Sequence, residues 1–135
     1  MRQDLMKKMN RILIADDSID LLEIFKITLS EEGYVVRTVS NKREFYGALK
    51  TFIPDLIILD VFLNDVDGRE ICKDVKRNIK TKKIPVMMCS ANPYAIAGYK
   101  MYGANDAIEK PFSIPVLLEK IDTLLGGGSH YKQAS

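Results

Sequence analysis

Residues 54–60 read Pro-Asp-Leu-Ile-Ile-Leu-Asp. The proline ends any helix that precedes it. The four apolar residues that follow leave no polar face for solvent, and the run closes on a carboxylate. Such a run reads as a strand buried on both faces, as the central strands of a parallel sheet are. A carboxylate at the end of a buried strand is costly unless a cation or a reaction uses it. The pattern recurs in two other places. Ile12-Leu13-Ile14-Ala15 ends on Asp16 and Asp17, and Ala107-Ile108-Glu109 ends on Lys110, ahead of Pro111.

Outward from this run the chain alternates. Strands are expected at 11–15, 34–39, 55–59, 84–89 and 106–109, because these segments are apolar, rich in β-branched residues, or both. Helices are expected at 18–32, with Ser18 as N-cap and Gly33 as stop, and at 41–52, 69–79 and 93–102. A last helix starts from the cap Ser113 and runs to Leu125. Residues 60–68 read as a loop closed by Asp67-Gly68. Five strands alternating with five helices imply one α/β domain over residues 10–125. It is a five-stranded parallel sheet with right-handed crossovers and helices on both faces, a three-layer sandwich. Residues 1–9 read as a charged N-terminal arm, and 126–135 as a glycine-rich tail or linker remnant.

Composition narrows the partners. The 135 residues are 47% hydrophobic and 28% charged, ordinary for a globular domain. The net charge of +2 resides in the ends: Arg2, Lys7 and Lys8 against Asp4, and Lys132 in the tail. The body is slightly acidic, so no direct nucleic-acid partner is expected. No apolar stretch approaches the ~20 residues of a membrane span, and no membrane partner is expected. Cys72 and Cys89 have neither metal-ligand spacing nor a disulfide framework; they read as core thiols of a cytoplasmic protein.

The acidic residues imply their own chemistry. If the first and third strands are neighbours, Asp16, Asp17 and Asp60 converge. Three carboxylates so close repel one another unless a proton or a cation intervenes. A hard divalent ion, Mg²⁺ or Mn²⁺, removes that penalty and rests readily on carboxylates plus a phosphate. One carboxylate is then free to attack a phosphoryl group. Lys110 supplies a compact positive charge for a phosphoryl oxygen. Ser90, at the end of the fourth strand, offers a hydroxyl to another. Lys110-Pro111 is a place where a cis peptide is cheap.

Four segments, RILIADDS (11–18), PDLIILDVFLNDVDG (54–68), IPVMMCSA (84–91) and GANDAIEKPF (103–112), resemble the receiver domain of bacterial two-component response regulators. The resemblance covers residues 11–125. It implies a flavodoxin-like sheet of order 2-1-3-4-5. It further implies that Asp60 is the phospho-acceptor and that Asp16, Asp17 and the backbone carbonyl of Phe62 join Asp60 around the metal. Ser90 and Lys110 match the family's hydroxyl and lysine positions. The implied phosphoryl donor is a phosphohistidine on a sensor histidine kinase or a histidine phosphotransfer protein. The implied catalysis is limited to the protein's own phosphorylation and dephosphorylation, so the chain is not otherwise an enzyme. Its output is changed partner binding or onward relay.

Two positions depart from the family pattern. Ala107 stands where an aromatic residue usually couples the hydroxyl at Ser90 to the surface; Tyr94, Tyr99 and Tyr102 are candidates to fill its space. Leu63-Asn64 replaces a usual Leu-Pro, and a looser loop is expected. Phe62 is expected at the rim of the site opposite Asn92, where an apolar side chain hinders hydrolytic water.

Two other functions compete. A degenerate receiver acting as a phosphorylation-independent interaction module is favoured by Ala107 and opposed by the intact acids and Lys110. An aspartyl-phosphate phosphatase needs a second acid two residues beyond its nucleophile, and that position is Phe62. The basic residues Arg69, Lys73, Lys76, Arg77 and Lys80 read as a solvated helix face. His130 lies in the tail and is not expected to be a ligand.

Overall fold

The computed structural model describes residues 10–126. The N-terminal arm, most of the tail and His130 lie outside the described residues. The strands are β1 (Arg11–Ala15), β2 (Val35–Val39), β3 (Leu56–Asp60), β4 (Val86–Ser90) and β5 (Asp106–Glu109). They form one sheet in the order β2-β1-β3-β4-β5, with every pairing parallel. The expected strand order is therefore the observed one.

Alternation along the central strands divides the core into two layers. Leu13, Ile57, Leu59 and Met88 face a cluster covered by α2 (Lys42–Thr51) and α3 (Gly68–Arg77). Ile12, Ile14, Ile58 and Met87 face a second cluster, covered by α1 (Ile19–Glu31) and α5 (Ile114–Leu124). All five residues of β3 are buried, as its uninterrupted apolar run requires. Both cysteines are buried free thiols. The expected caps are present: the hydroxyls of Ser18 and Ser113 accept from the backbone N–H of Leu21 and Val116.

Three segments differ from expectation. The helix expected over 93–102 divides at Gly98 into α4 (Pro93–Ala97) and a 3₁₀ turn (Tyr99–Tyr102). Glycine is a poor helix former, and here it lies outside helical geometry at φ −101°, ψ 32°. The fourth strand starts at Val86 rather than Ile84, because Pro85 has no N–H for the ladder. The loop over 60–68 contains a small antiparallel ribbon, Phe62–Leu63 against Val66–Asp67. Its turn places Asn64 at φ 55°, a conformation asparagine tolerates. The loop is not loose: the backbone N–H of Asn64 donates to Asp17 Oδ2 (3.3 Å) and its side-chain amide to the Ser40 carbonyl (2.9 Å).

Candidate functional site

Parallel strands bring their carboxyl ends to one edge of the sheet, where open α/β folds place their ligands. β1 ends against β3, with Ala15 opposite Leu59, so Asp16 and Asp17 come to lie beside Asp60. One carboxylate oxygen of each of the three lies within 4.8 Å of the others. Asp16 is 1% exposed and Asp60 5%, whereas Asp17 is open to solvent. β4 ends on Ser90, also buried. β5 delivers Lys110, whose backbone N–H donates to the Ser90 carbonyl (2.8 Å). The Lys110-Pro111 bond is cis. The Lys110 ammonium donates to Asp16 Oδ2 at 2.7 Å and to Asp60 Oδ2 at 3.4 Å.

One ammonium among three carboxylates leaves an excess of negative charge. Burial and the neighbouring Asp16 push the Asp60 carboxyl up to about 6, against the opposing pull of Lys110 and the Phe62 N–H. Burial lowers the Lys110 ammonium, but its bond to Asp16 and the charge of Asp60 outweigh this and hold it above its ordinary value. A compact group of carboxylates short of positive charge matches a hard divalent cation in donor type. Asp16, Asp17 and Asp60 are the side chains able to hold one.

The four groups open onto a cleft of about 590 Å³ lined by Asp17, Asp60, Ser90 and Lys110, with Phe62, Asn92 and Tyr94 around them. Phe62 and Asn92 thus share the cleft with Asp60, as expected. The Phe62 ring is 50% exposed, and its backbone N–H donates to Asp60 Oδ1 (3.3 Å). The Ser90 hydroxyl accepts from the Asn92 N–H (3.0 Å). The carbonyl of Asn92 accepts the first turn of α4, and its side chain caps Tyr94.

Gly68 is a site residue that the sequence reading passed over as a turn closer. A Cβ there would collide with the carbonyl oxygen of Asp60, and its N–H donates to the Val61 carbonyl at 2.6 Å. The absence of a side chain lets the start of α3 press against the backbone that carries Asp60. The signal was present in Asp67-Gly68, since Asp67 caps α3; the contact with Asp60 was not readable from local sequence.

Ala107 is half-buried and packs on the same cluster as Tyr99 and Tyr102. The Tyr102 hydroxyl donates to the Ala95 carbonyl (3.4 Å). Tyr94, in contrast, projects into solvent. Two of the three candidate tyrosines thus pack on the same core cluster as Ala107.

The family model described as the response regulator receiver domain matches residues 12–122. Among curated relatives, the DNA-binding dual master transcriptional regulator RpaA of Synechocystis sp. is 33% identical over 130 residues, 94% of this chain and 54% of that protein. The response regulator ArlR of Staphylococcus aureus is 34% identical, over 87% of this chain and 53% of its own length. The chain thus spans about half the length of the curated relatives it matches. Among solved structures, the chemotaxis response regulator CheY4 of Vibrio cholerae has a TM-score of 0.79 at 30% identity, covering 86% of this chain and 98% of that one. The receiver domain of NtrX from Brucella abortus has a TM-score of 0.79 at 29% identity, covering 85% and 98%.

Proposed function

This chain belongs to the response regulator receiver family of two-component signalling, and on that premise we propose that Asp60 accepts a phosphoryl group from a phosphohistidine. The observation that carries the proposal is the Lys110 ammonium bridging Asp16 and Asp60 at the mouth of a cleft that also holds Ser90. An Asp60 oxygen forms the new O–P bond as the donor's N–P bond breaks, and the electron pair returns to the imidazole of the donor histidine. Lys110 already touches the attacked carboxylate, so it needs only a small shift to meet the transferred group. Its positive charge then lies where negative charge accumulates. Ser90, which adjoins Lys110 through the backbone, lines the same cleft with its hydroxyl. Mg²⁺ or Mn²⁺, held by Asp16, Asp17, Asp60 and the Phe62 carbonyl, supplies charge screening for the phosphoryl oxygens when bound.

The donor in this reading is a sensor histidine kinase or histidine phosphotransfer protein in the cytoplasm. The chain catalyses no reaction other than gaining and losing its own phosphoryl group. The decisive experiment incubates the protein with a phosphorylated histidine donor and Mg²⁺. The expected product is an acid-stable, hydroxylamine-labile acyl phosphate on the wild type, absent from Asp60→Asn and after chelation. Label that persists on Asp60→Asn refutes the assignment.

Ala107 favours one second reading, an interaction module whose partner binding ignores phosphorylation. The packing of Tyr99 and Tyr102 on the core cluster that Ala107 also joins supports retained coupling instead, since aromatic side chains remain on that face. Partner affinity measured with and without beryllofluoride separates the two.

A further inference from the structure

At the sheet edge opposite the acidic site, α2 and α3 end and lead into β3 and β4. The Tyr46 hydroxyl of α2 donates to Asp74 of α3 (2.7 Å), and the strands these helices lead into are paired, with the Ile57 N–H donating to the Pro85 carbonyl. The end of α3 and the turn after it carry Arg77, Lys80, Lys82 and Lys83, all exposed and none in an ion pair among the described residues. No acidic residue occurs between Asp74 and Asp106.

The turn is firmly built. Asn78 accepts from the backbone N–H groups of Lys80, Thr81 and Lys82. The Lys76 ammonium turns inward to the carbonyls of Lys82 and Ile84 and to Asn105. Lys76, Arg69 (paired with Asp67) and Lys73 (paired with Glu70) are therefore structural cations. Arg77 also donates to the Lys73 carbonyl (3.3 Å), and the ammonium groups of Lys80, Lys82 and Lys83 remain directed to solvent.

Two exposed isoleucines lie at this end of the sheet, one of them within the basic turn. Ile79, in the turn, is 80% exposed, and Ile53, after α2, is 67% exposed. Ile53 also has φ 54°, a left-handed conformation that a β-branched residue adopts only at a cost. An asparagine or glycine would sit there with less strain, and an exposed isoleucine gains nothing from the core.

We propose that this pole of the domain is a peripheral docking surface for an anionic membrane. The cations lie at the end of α3 and on the turn that carries the exposed Ile79, rather than lining the cleft already described. That is the arrangement that adds shallow apolar insertion to attraction by anionic headgroups. The absence of a spanning helix among the described residues bears on crossing a bilayer, not on resting against one. The expectation of no membrane partner rests on the lack of a membrane-length apolar stretch, which likewise bears on crossing alone. Docked this way, the acidic cleft faces away from the bilayer, at the other edge of the sheet.

The test is co-sedimentation of the full chain with phosphatidylcholine vesicles, with or without phosphatidylserine, at low and high salt. Binding is expected only with phosphatidylserine, and it should disappear near 0.5 M salt, where screening is nearly complete. The triple variant Lys80→Glu, Lys82→Glu, Lys83→Glu should weaken partitioning on the order of 100-fold. Ile53→Asn with Ile79→Asn should weaken it several-fold while leaving the fold intact by circular dichroism. Equal binding to both vesicle types, or a triple variant that binds like the wild type, overturns the proposal. So does capture by soluble polyglutamate without vesicle binding. Labelling of Asp60 is a separate readout that these variants should not alter, so this proposal can fail without the phosphoryl-acceptor reading.

Discussion

At the acidic site each functional side chain is held by a partner from another element. Lys110 reaches across from β5 to β1 and β3, Asp17 accepts from the Asn64 N–H, and Asp60 accepts from the N–H of Phe62. The face over Ala107 is assembled differently. Its helix is five residues long, it breaks at Gly98, and a long side-chain hydrogen bond from Tyr102 links the 3₁₀ turn to it. Electrostatics position the first region, and loss of Lys110 there leaves the buried carboxylates of Asp16 and Asp60 without their ammonium. Packing positions the second, so a small residue such as Ala107 can be offset by an aromatic side chain from a neighbour.

The largest effect that distinguishes the regions is expected at Gly68. Gly68→Ala puts a Cβ against the Asp60 carbonyl, and the backbone must move. A loss of about 3 kcal/mol in urea unfolding, together with slowed phosphorylation, is expected. An unchanged midpoint would show that the site tolerates displacement and is not rigidly held.

A smaller effect follows from the crowded carboxylates. Asp60 titrates near 6 in the folded protein rather than at its ordinary 3.8. A carboxyl raised on folding favours the folded state at low pH, and that contribution is lost as pH rises through about 6. Without metal, Asp60→Asn should therefore be more stable than wild type at pH 7 by about 1–2 kcal/mol, the difference closing towards pH 4. Thermal melts across this range check it. Added Mg²⁺ should raise the wild-type midpoint more than that of the variant.

Two gentler changes probe the borders of each region. Phe62→Asn opens the cleft to water and should shorten the phosphorylated lifetime by a few-fold, about 1 kcal/mol in barrier height; loss of label over time measures it. Tyr102→Phe removes only the bond to Ala95, at a cost below about 1 kcal/mol. It should nevertheless reduce the chemical-shift response of residues 92–112 to beryllofluoride. If the wild type shows no response there, no switch runs through that face.

These regions also differ in how far the sequence revealed them. Leu56–Leu59 and Ile12–Ala15 could be read because strands buried on both faces leave uninterrupted apolar runs, and the residues ending those runs must share one edge. Asp16, Asp17, Asp60, Ser90 and Lys110 were legible for that reason. Gly98 was not, because one glycine inside a helical pattern is commonly tolerated and only packing decides whether the helix breaks. The ribbon at 62–67 is too short to show a period. The importance of Gly68 arises from a contact with Asp60, across the loop that the ribbon fills. The basic residues have helical spacing in the sequence, but α3 ends at Arg77, Lys76 turns inward and Lys80 lies in the turn beyond, which spacing alone does not show.

The central claim is that Asp60, served by Lys110 and a divalent ion, accepts the phosphoryl group. Intact mass after incubation with acetyl phosphate and Mg²⁺ tests it most directly. The wild type should gain about 80 Da, one phosphoryl group, and Asp60→Asn or a chelated sample should gain nothing. An unmodified wild type that still binds Mg²⁺, or an equal gain on Asp60→Asn, would contradict it.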